Sequence, residues 1–456
     1  MWTLTLFLVS ILATSFFYPI EIHIGQILLI DHLGLIISSA VALFSSIVLT
    51  YSSRYLAGHK KLRRFLINCT LFTIAAILMA IANHILLFIA AWLCMGLLMA
   101  ELIGGYTQYY EGQASRRNAR NYFLLSTAFI SAGFLWLSIL TGAWSISEIT
   151  SLADTMDQPS VSVAALLLIG GAVVQSALFP FQRWLMSSMT APTPASALMH
   201  AGFVNAGAVL LTRTAPVLFV SDLLWVLVIV GGVGALVGKF SKFVQANIKQ
   251  KLACSTTAQM GFMLLQCGLG FFSAAIAHLI LHGFYKAYLF LSSGDNIEQS
   301  SPYNGDRKRS WKQWYLPVTL ISGLAGGWIF AITTGKGLEF NSGLFLTFVI
   351  VLTVIHGAQD FLGKSSLPLL SRLIALPIII IPALLTYAVV FNGISVLMQQ
   401  VPMAEVPLPI TWDQLTVGGL YLATFLAIEL KWYKKSRRLY VYLLNISQPK
   451  SNTILQ

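Results

Sequence analysis

Residues 274–294 read AAIAHLILHGFYKAYLFLSSG, an apolar run interrupted at four-residue intervals by His278, His282 and Lys286. Four residues of α-helix turn through about 400°, so the three side chains share one face, each roughly 6 Å above the last. Ionisable groups this deep in an apolar segment are rare. Those that occur pair, face water, or carry protons or ions. The spacing therefore predicts a transmembrane helix bearing a ladder of titratable groups.

The rest of the chain agrees with a membrane setting. Of 456 residues, 57% are hydrophobic and 10% charged, and the mean hydropathy is +0.78, which excludes an ordinary soluble domain. The first apolar run, Trp2 to Tyr18, has no basic leader and no small-x-small cleavage pattern, so it reads as a retained helix. The four cysteines, Cys69, Cys94, Cys254 and Cys267, have neither metal-ligand nor redox spacing and read as reduced thiols.

Cutting the chain where charge, Pro or Gly interrupts apolar runs predicts roughly fourteen spans. They lie near 2–18, 33–52, 65–82, 85–105, 120–141, 161–180, 194–213, 221–241, 252–269, 272–293, 315–333, 343–362, 372–398 and 414–432. With a cytoplasmic N-terminus, all but Arg213, Lys286 and Lys336 of the 28 Lys and Arg fall on cytoplasmic segments. Basic clusters occupy Arg54 to Arg64, Arg116 to Arg120, Lys239 to Lys251, Arg307 to Lys312 and Lys431 to Arg438. The opposite connections carry Glu21, Glu148, Asp154, Asp157, Asp222, Glu339, Glu405 and Asp413. The net charge of +12 is thus a signature of topology rather than of nucleic-acid binding, and it offers anionic lipid a surface. The expectation is an all-α polytopic protein of the inner (plasma) membrane, both termini cytoplasmic. It is one transmembrane domain, 1–456, with a core at about 65–398 and a short tail, 433–456. The connections Gly142 to Pro159 and Asp295 to Lys312 are too short to bury a core.

The most specific stretch is Gly171–Arg213, GAVVQSALFPFQRWLMSSMTAPTPASALMHAGFVNAGAVLLTR. Pro180 is expected to end or break the sixth span, and Pro192 and Pro194 hold off the next helix until about Pro194. Broken backbone at membrane depth is tolerated where protein or water satisfies its carbonyls. His200 and Asn205 then follow among small residues that leave room for close packing and water. A proline-kinked structural helix with a satisfied histidine accounts for the same residues.

The runs FPFQRWLMSSMTAPTPASALMHAG, NIKQKLACSTTAQMGFM and HLILHGFYKAYLFLSSG resemble, in that order, the antiporter-like subunits of respiratory complex I, especially subunit 5, and of Mrp sodium/proton antiporters. The similarity runs from about Asn83 to Gly294. Within that superfamily, APTPASALMHAGFVNAGAVLLTR and STTAQMGFMLLQCGLG look most like the DabB membrane subunits of DAB inorganic-carbon complexes. The resemblance implies two inverted five-helix repeats with broken helices and a line of protonatable groups near the midplane. Carried over by position, His200 matches the histidine after the break, and His278, His282 and Lys286 match a central His-x-x-x-His-x-x-x-Lys. Lys286 is the expected proton carrier, facing hydrated interior and exchanging protons near neutral pH with the histidines as relay partners. A lysine neutralised by Asp360 or Glu101 is the structural alternative.

Some positions depart from the family pattern. Complex I subunits place a glutamate after the Trp of the fourth span and a lysine in the helix before FPFQRWL. Here Leu93 follows Trp92, Gln175 holds the lysine position, and Asn247 replaces an aspartate. The charged pair associated with proton entry in the first half is therefore missing, and Glu101 is the substitute candidate. Asp31 matches a family aspartate and also reads as a helix cap. His356 and Asp360, four residues apart beside Gln359, are candidates for the outlet of the second half. Ser255, Thr256, Thr257 and Gln259 can hold water, with helix packing their expected role.

Complex I subunit 5 continues into a long lateral helix, whereas this sequence continues for only about 24 residues after its last span, too few for that brace. Nucleotide, flavin, iron–sulfur and zinc motifs are missing, so no cofactor or metal is expected in this chain, nor catalysis by it alone. The resemblance implies a proton- or cation-conducting subunit beside a large DabA-type partner, similar to a zinc-dependent β-carbonic anhydrase, at which ion flow drives CO2 hydration to bicarbonate. The alternatives are a subunit of a complex I-like or Mrp-like Na+/H+ antiporter assembly and an autonomous transporter of a small solute.

Overall fold

Asp31 caps the second helix: its Oδ1 accepts from Gly34 N at 2.8 Å, satisfying one of the amides that every helix start leaves open. The computed structural model, which describes residues 1–18, 20–106, 109–293, 315–364, 368–430, 436–449 and 453, continues from such starts into a helical bundle. In chain order the helices are α1 (Trp2–Ser15), α2 (His32–Tyr55), α3 (Leu62–Ile81), α4 (Ile85–Gly104), α5 (Tyr110–Thr141), α6 (Ile146–Ser151) and α7 (Gln158–Gln175). They continue with α8 (Arg183–Ser187), α9 (Thr193–Leu198), α10 (Ala206–Arg213), α11 (Ala215–Val220), α12 (Leu224–Val244), α13 (Ile248–Gly268) and α14 (Phe272–Leu291). After the undescribed stretch come α15 (Tyr315–Thr334), α16 (Gly343–Lys364), α17 (Leu369–Met398), α18 (Trp412–Glu429) and α19 (Arg437–Ser447).

Among the described residues, 11 helical stretches are long and apolar enough to cross a membrane. The other expected spans are occupied by α1, which is shorter, and by α13 and α18, which carry more polar residues. Strands β1 (Ile22–Ile24) and β2 (Leu28–Ile30) pair antiparallel across a turn at Gly25, φ 57°, and form a small hairpin before α2 that apolar periodicity alone did not reveal. The basic stretches Arg307 to Lys312 and Lys431 to Lys435 lie outside the described residues.

The sixth span ends earlier than expected. Helix α7 stops at Gln175, Ala177 adopts a left-handed φ of 52°, and Pro180 sits in the turn beyond instead of terminating the helix. A non-glycine residue at positive φ cannot continue a right-handed helix, so the reversal precedes the proline. Pro194 falls in the first turn of α9, where a missing N–H does no harm. The helix then widens into a π turn, Met199–Phe203, before α10. In the second half, Pro377 and Pro382 sit inside a continuous α17.

Helices α12 and α13 pack backbone to backbone. A Cβ on Gly238 would lie 2.5 Å from Ala258 N, and one on Gly261 would lie 2.3 Å from Ala235 N. Only glycine permits that approach. Helix α14 packs against α2, α9, the π turn and α10 as well as α13 and α17, so it joins the two halves of the sequence. The chain after α18 returns to the break: Gln245 Nε2 donates to Ser447 Oγ at 2.6 Å, and Gln182 Nε2 donates to Ile446 O at 3.4 Å.

Candidate functional site

Lys286 is fully buried on α14. Its Nζ donates to Ser255 Oγ at 2.7 Å and to Leu252 O at 2.9 Å, both on α13. Among the described residues no carboxylate forms an ion pair with it. Glu101, near the end of α4, is instead taken by Arg116 and by Arg64 at 3.6 Å. An amine held by one carbonyl and one hydroxyl keeps its hydrogen bonds whether charged or neutral, whereas a carboxylate partner would lock it as an ammonium. Ser255, expected to serve packing, is thus the acceptor of the buried amine, while Thr256 bonds back to Leu252 O at 3.0 Å as a packing residue does.

One turn earlier His282 is 5% exposed, and neither ring nitrogen has a hydrogen-bond partner among the described residues. His278 follows with its ring centroid 6.2 Å from that of His282. Both line a cleft of about 250 Å3 with Ser255, Gln259 and Tyr387. A second cavity, also about 250 Å3, shares His278, Gln259 and Tyr387 with the first and reaches His356 and Lys239. Either volume exceeds the roughly 10–15 Å3 that a single water needs. A neutral imidazole has one donor and one acceptor nitrogen, and both nitrogens of His282 lie beneath the surface of this cleft.

His200 lies in the π turn, fully buried, its ring stacked on Phe290 of α14 at 4.3 Å and 13°. Neither of its nitrogens has a partner among the described residues. Asn205 donates to Ala201 O at 2.8 Å, leaves its Oδ1 unpartnered, and borders a cavity of about 20 Å3, enough for one water. Gln175 reaches the π turn through Nε2 to Phe203 O at 3.5 Å. Where complex I subunits carry a lysine, this first half has a buried amide.

The geometry brings Lys286, His282 and His278 together, sets His200 against the far end of α14, and joins His278 to His356 through the second cavity. Glu101 stands apart in its arginine pair. Asp360 lies one turn beyond His356 on α16. The sequence reading missed Glu429, whose Oε1 is 2.6 Å from His356 Nδ1, a contact between residues 73 positions apart. It also missed Glu405, which pairs with Lys336 beneath the ring of Phe271 and accepts from Ser273 Oγ at 2.8 Å. The signal was present in Lys336, a basic residue on the wrong side of the charge pattern.

A profile of the NADH:quinone oxidoreductase/Mrp antiporter transmembrane family matches residues 82–321, and the chain belongs to that family. It is 32% identical over 320 residues to a Bacillus subtilis protein named as a probable inorganic carbon transporter subunit DabB, covering 70% of this chain and 63% of that one. It is 37% identical over 285 residues to the DabB1 protein of Halothiobacillus neapolitanus, covering 61% and 51%. The Escherichia coli NADH-quinone oxidoreductase subunit L is 31% identical over 392 residues, covering 78% and 64%. The chain thus spans between about half and two thirds of the length of these relatives. In fold it is similar to a chain of the Mrp complex of Dietzia sp., with TM-score 0.58, 22% identity, and coverage of 98% of this chain and 49% of that one. A chain of the archaeal membrane-bound sulfane sulfur reductase gives TM-score 0.59, 18% identity, and coverage of 99% and 93%. The protein is a multi-pass, antiporter-like membrane subunit.

Proposed function

We propose that this chain conducts protons across the membrane as the DabB-type subunit of an inorganic-carbon complex. One observation carries the reading: a buried amine with no carboxylate partner among the described residues, followed at one-turn intervals by two imidazoles that border cavities large enough for water. Amine and imidazole groups exchange protons, whereas a sodium path needs oxygen ligands grouped around one point. The partner is a large DabA-type, zinc-containing subunit resembling a β-carbonic anhydrase on the cytoplasmic face, and inward proton flow drives hydration of CO2 there. One charge moving through about 100 mV is worth roughly 2.3 kcal/mol, a bias of more than tenfold. The DabB relatives and the charge pattern support this reading.

The test is proton flux into liposomes holding the chain and whatever subunits co-purify with it. Lys286→Ala should cut flux at least tenfold, and parental flux would rule out the relay. Mild-detergent purification yielding a single large zinc-containing partner supports the carbon-complex assignment. Several hydrophobic partners would replace it with a complex I-like or Mrp-like assembly, to which the likeness to subunit L also points.

A further inference from the structure

The cavity that begins at His278 ends against a pair that no part of the α14 ladder explains. His356 of α16 lines it and is a quarter exposed, and its Nδ1 meets Glu429 Oε1 at 2.6 Å. The Glu429 side chain is 6% exposed. Lys239 of α12 lines the same cavity and is within electrostatic reach of Glu429, and Asp360 lies one turn from His356. A pair whose only task was to tie α16 to α18 would be a costly choice at this depth, and Phe345 already packs edge-on against Tyr421 across the same two helices at 5.9 Å.

We infer that Glu429 is the proton-exchanging carboxylate of the second half, receiving from His356 a proton that water in the cavity carries from His278. At this step one N–H bond of His356 breaks and one O–H bond of Glu429 forms. Release of that proton to water at the end of the bundle where α16 and α18 finish restores the pair. His356 is then a through-carrier, and Lys239 lines the same cavity. The inference rests on proton conduction by this chain and adds the residue at which the path leaves the protein.

The experiment uses the full chain with its co-purifying subunits in liposomes, a trapped pH-sensitive dye and an imposed pH gradient. Glu429→Gln and His356→Gln should each lower flux at least tenfold per folded molecule, with the folded fraction read from thermal melts in detergent. Glu429→Asp should retain at least a third of it, a rescue that a shape-dependent tie between helices would not show. Thr424→Phe, which narrows the cavity that Thr424 and His356 both line, should also lower flux tenfold. Parental flux in either Gln variant, with Lys286→Ala inactive, overturns the role of Glu429 and leaves the conduction reading standing. Absence of flux in the parent overturns both. If Glu429→Gln does not fold, His356→Gln and Thr424→Phe decide the question by the same criterion.

Discussion

Arg213, Lys286 and Lys336 are the three basic side chains that break the charge asymmetry of the connections, and each is withdrawn from water in a different way. Arg213 holds Asp31 through both nitrogens and donates to Ala80 O at 2.8 Å. Lys336 pairs with Glu405 between two aromatic rings, with Phe271 at 4.6 Å and Phe391 at 5.6 Å. Only Lys286 has no carboxylate among the described residues. The first two are therefore structural clamps, and the third is held by a carbonyl and a hydroxyl instead. Arg213→Gln should leave a nearly buried Asp31 unpaired and lower stability by about 2–3 kcal/mol, somewhat less than breaking a fully buried pair. A thermal melt in detergent alongside the flux per molecule checks this, since the midpoint should drop while flux persists. The ladder was legible because helical spacing alone aligns His278, His282 and Lys286. Glu429 was not legible, because its partner His356 is 73 residues away and nothing local marks the contact.

At the scale of elements, the break between α7 and α9 was legible from its prolines, but its starting point was not: a left-handed alanine is invisible to composition. Nor did the sequence announce the π turn, since one extra residue in a helical turn leaves the apolar pattern nearly intact. Such turns cluster at functional sites, and this one carries His200. The glycine contact between α12 and α13 sets where Ser255 stands. Gly238→Val should force the two helices apart, at a cost of about 1–3 kcal/mol. It should also reduce proton flux by drawing the hydroxyl away from Lys286, so parallel melts and flux assays should both fall. Helix α7 begins at Asp157, whose carboxylate is held below the usual range by hydrogen bonds from Ser160. A lowered native pKa gives stability that is complete at neutral pH and is lost as pH falls through the native value, below the ordinary 3.8. In Asp157→Asn the acid limb of the thermal-stability curve should therefore be shallower below about pH 4, and melts at stepped pH measure it.

For the whole molecule, hydropathy indicated where the spans lie, and 11 helical stretches among the described residues are long and apolar enough to cross a membrane, because the bilayer imposes its thickness on the sequence directly. Contacts between the halves obey no such rule. They depend on which small residues let helices touch, and α14 emerged as their meeting point only in three dimensions. Phe290, which carries the stack with His200, and Lys286, which reaches Ser255, are four positions apart on this one rod. A tilt of the rod that parts the stacked rings also drags the amine from its acceptor. Because both contacts sit on one helix, a displacement that loosened the stack on Phe290 would reach the Lys286 amine as well.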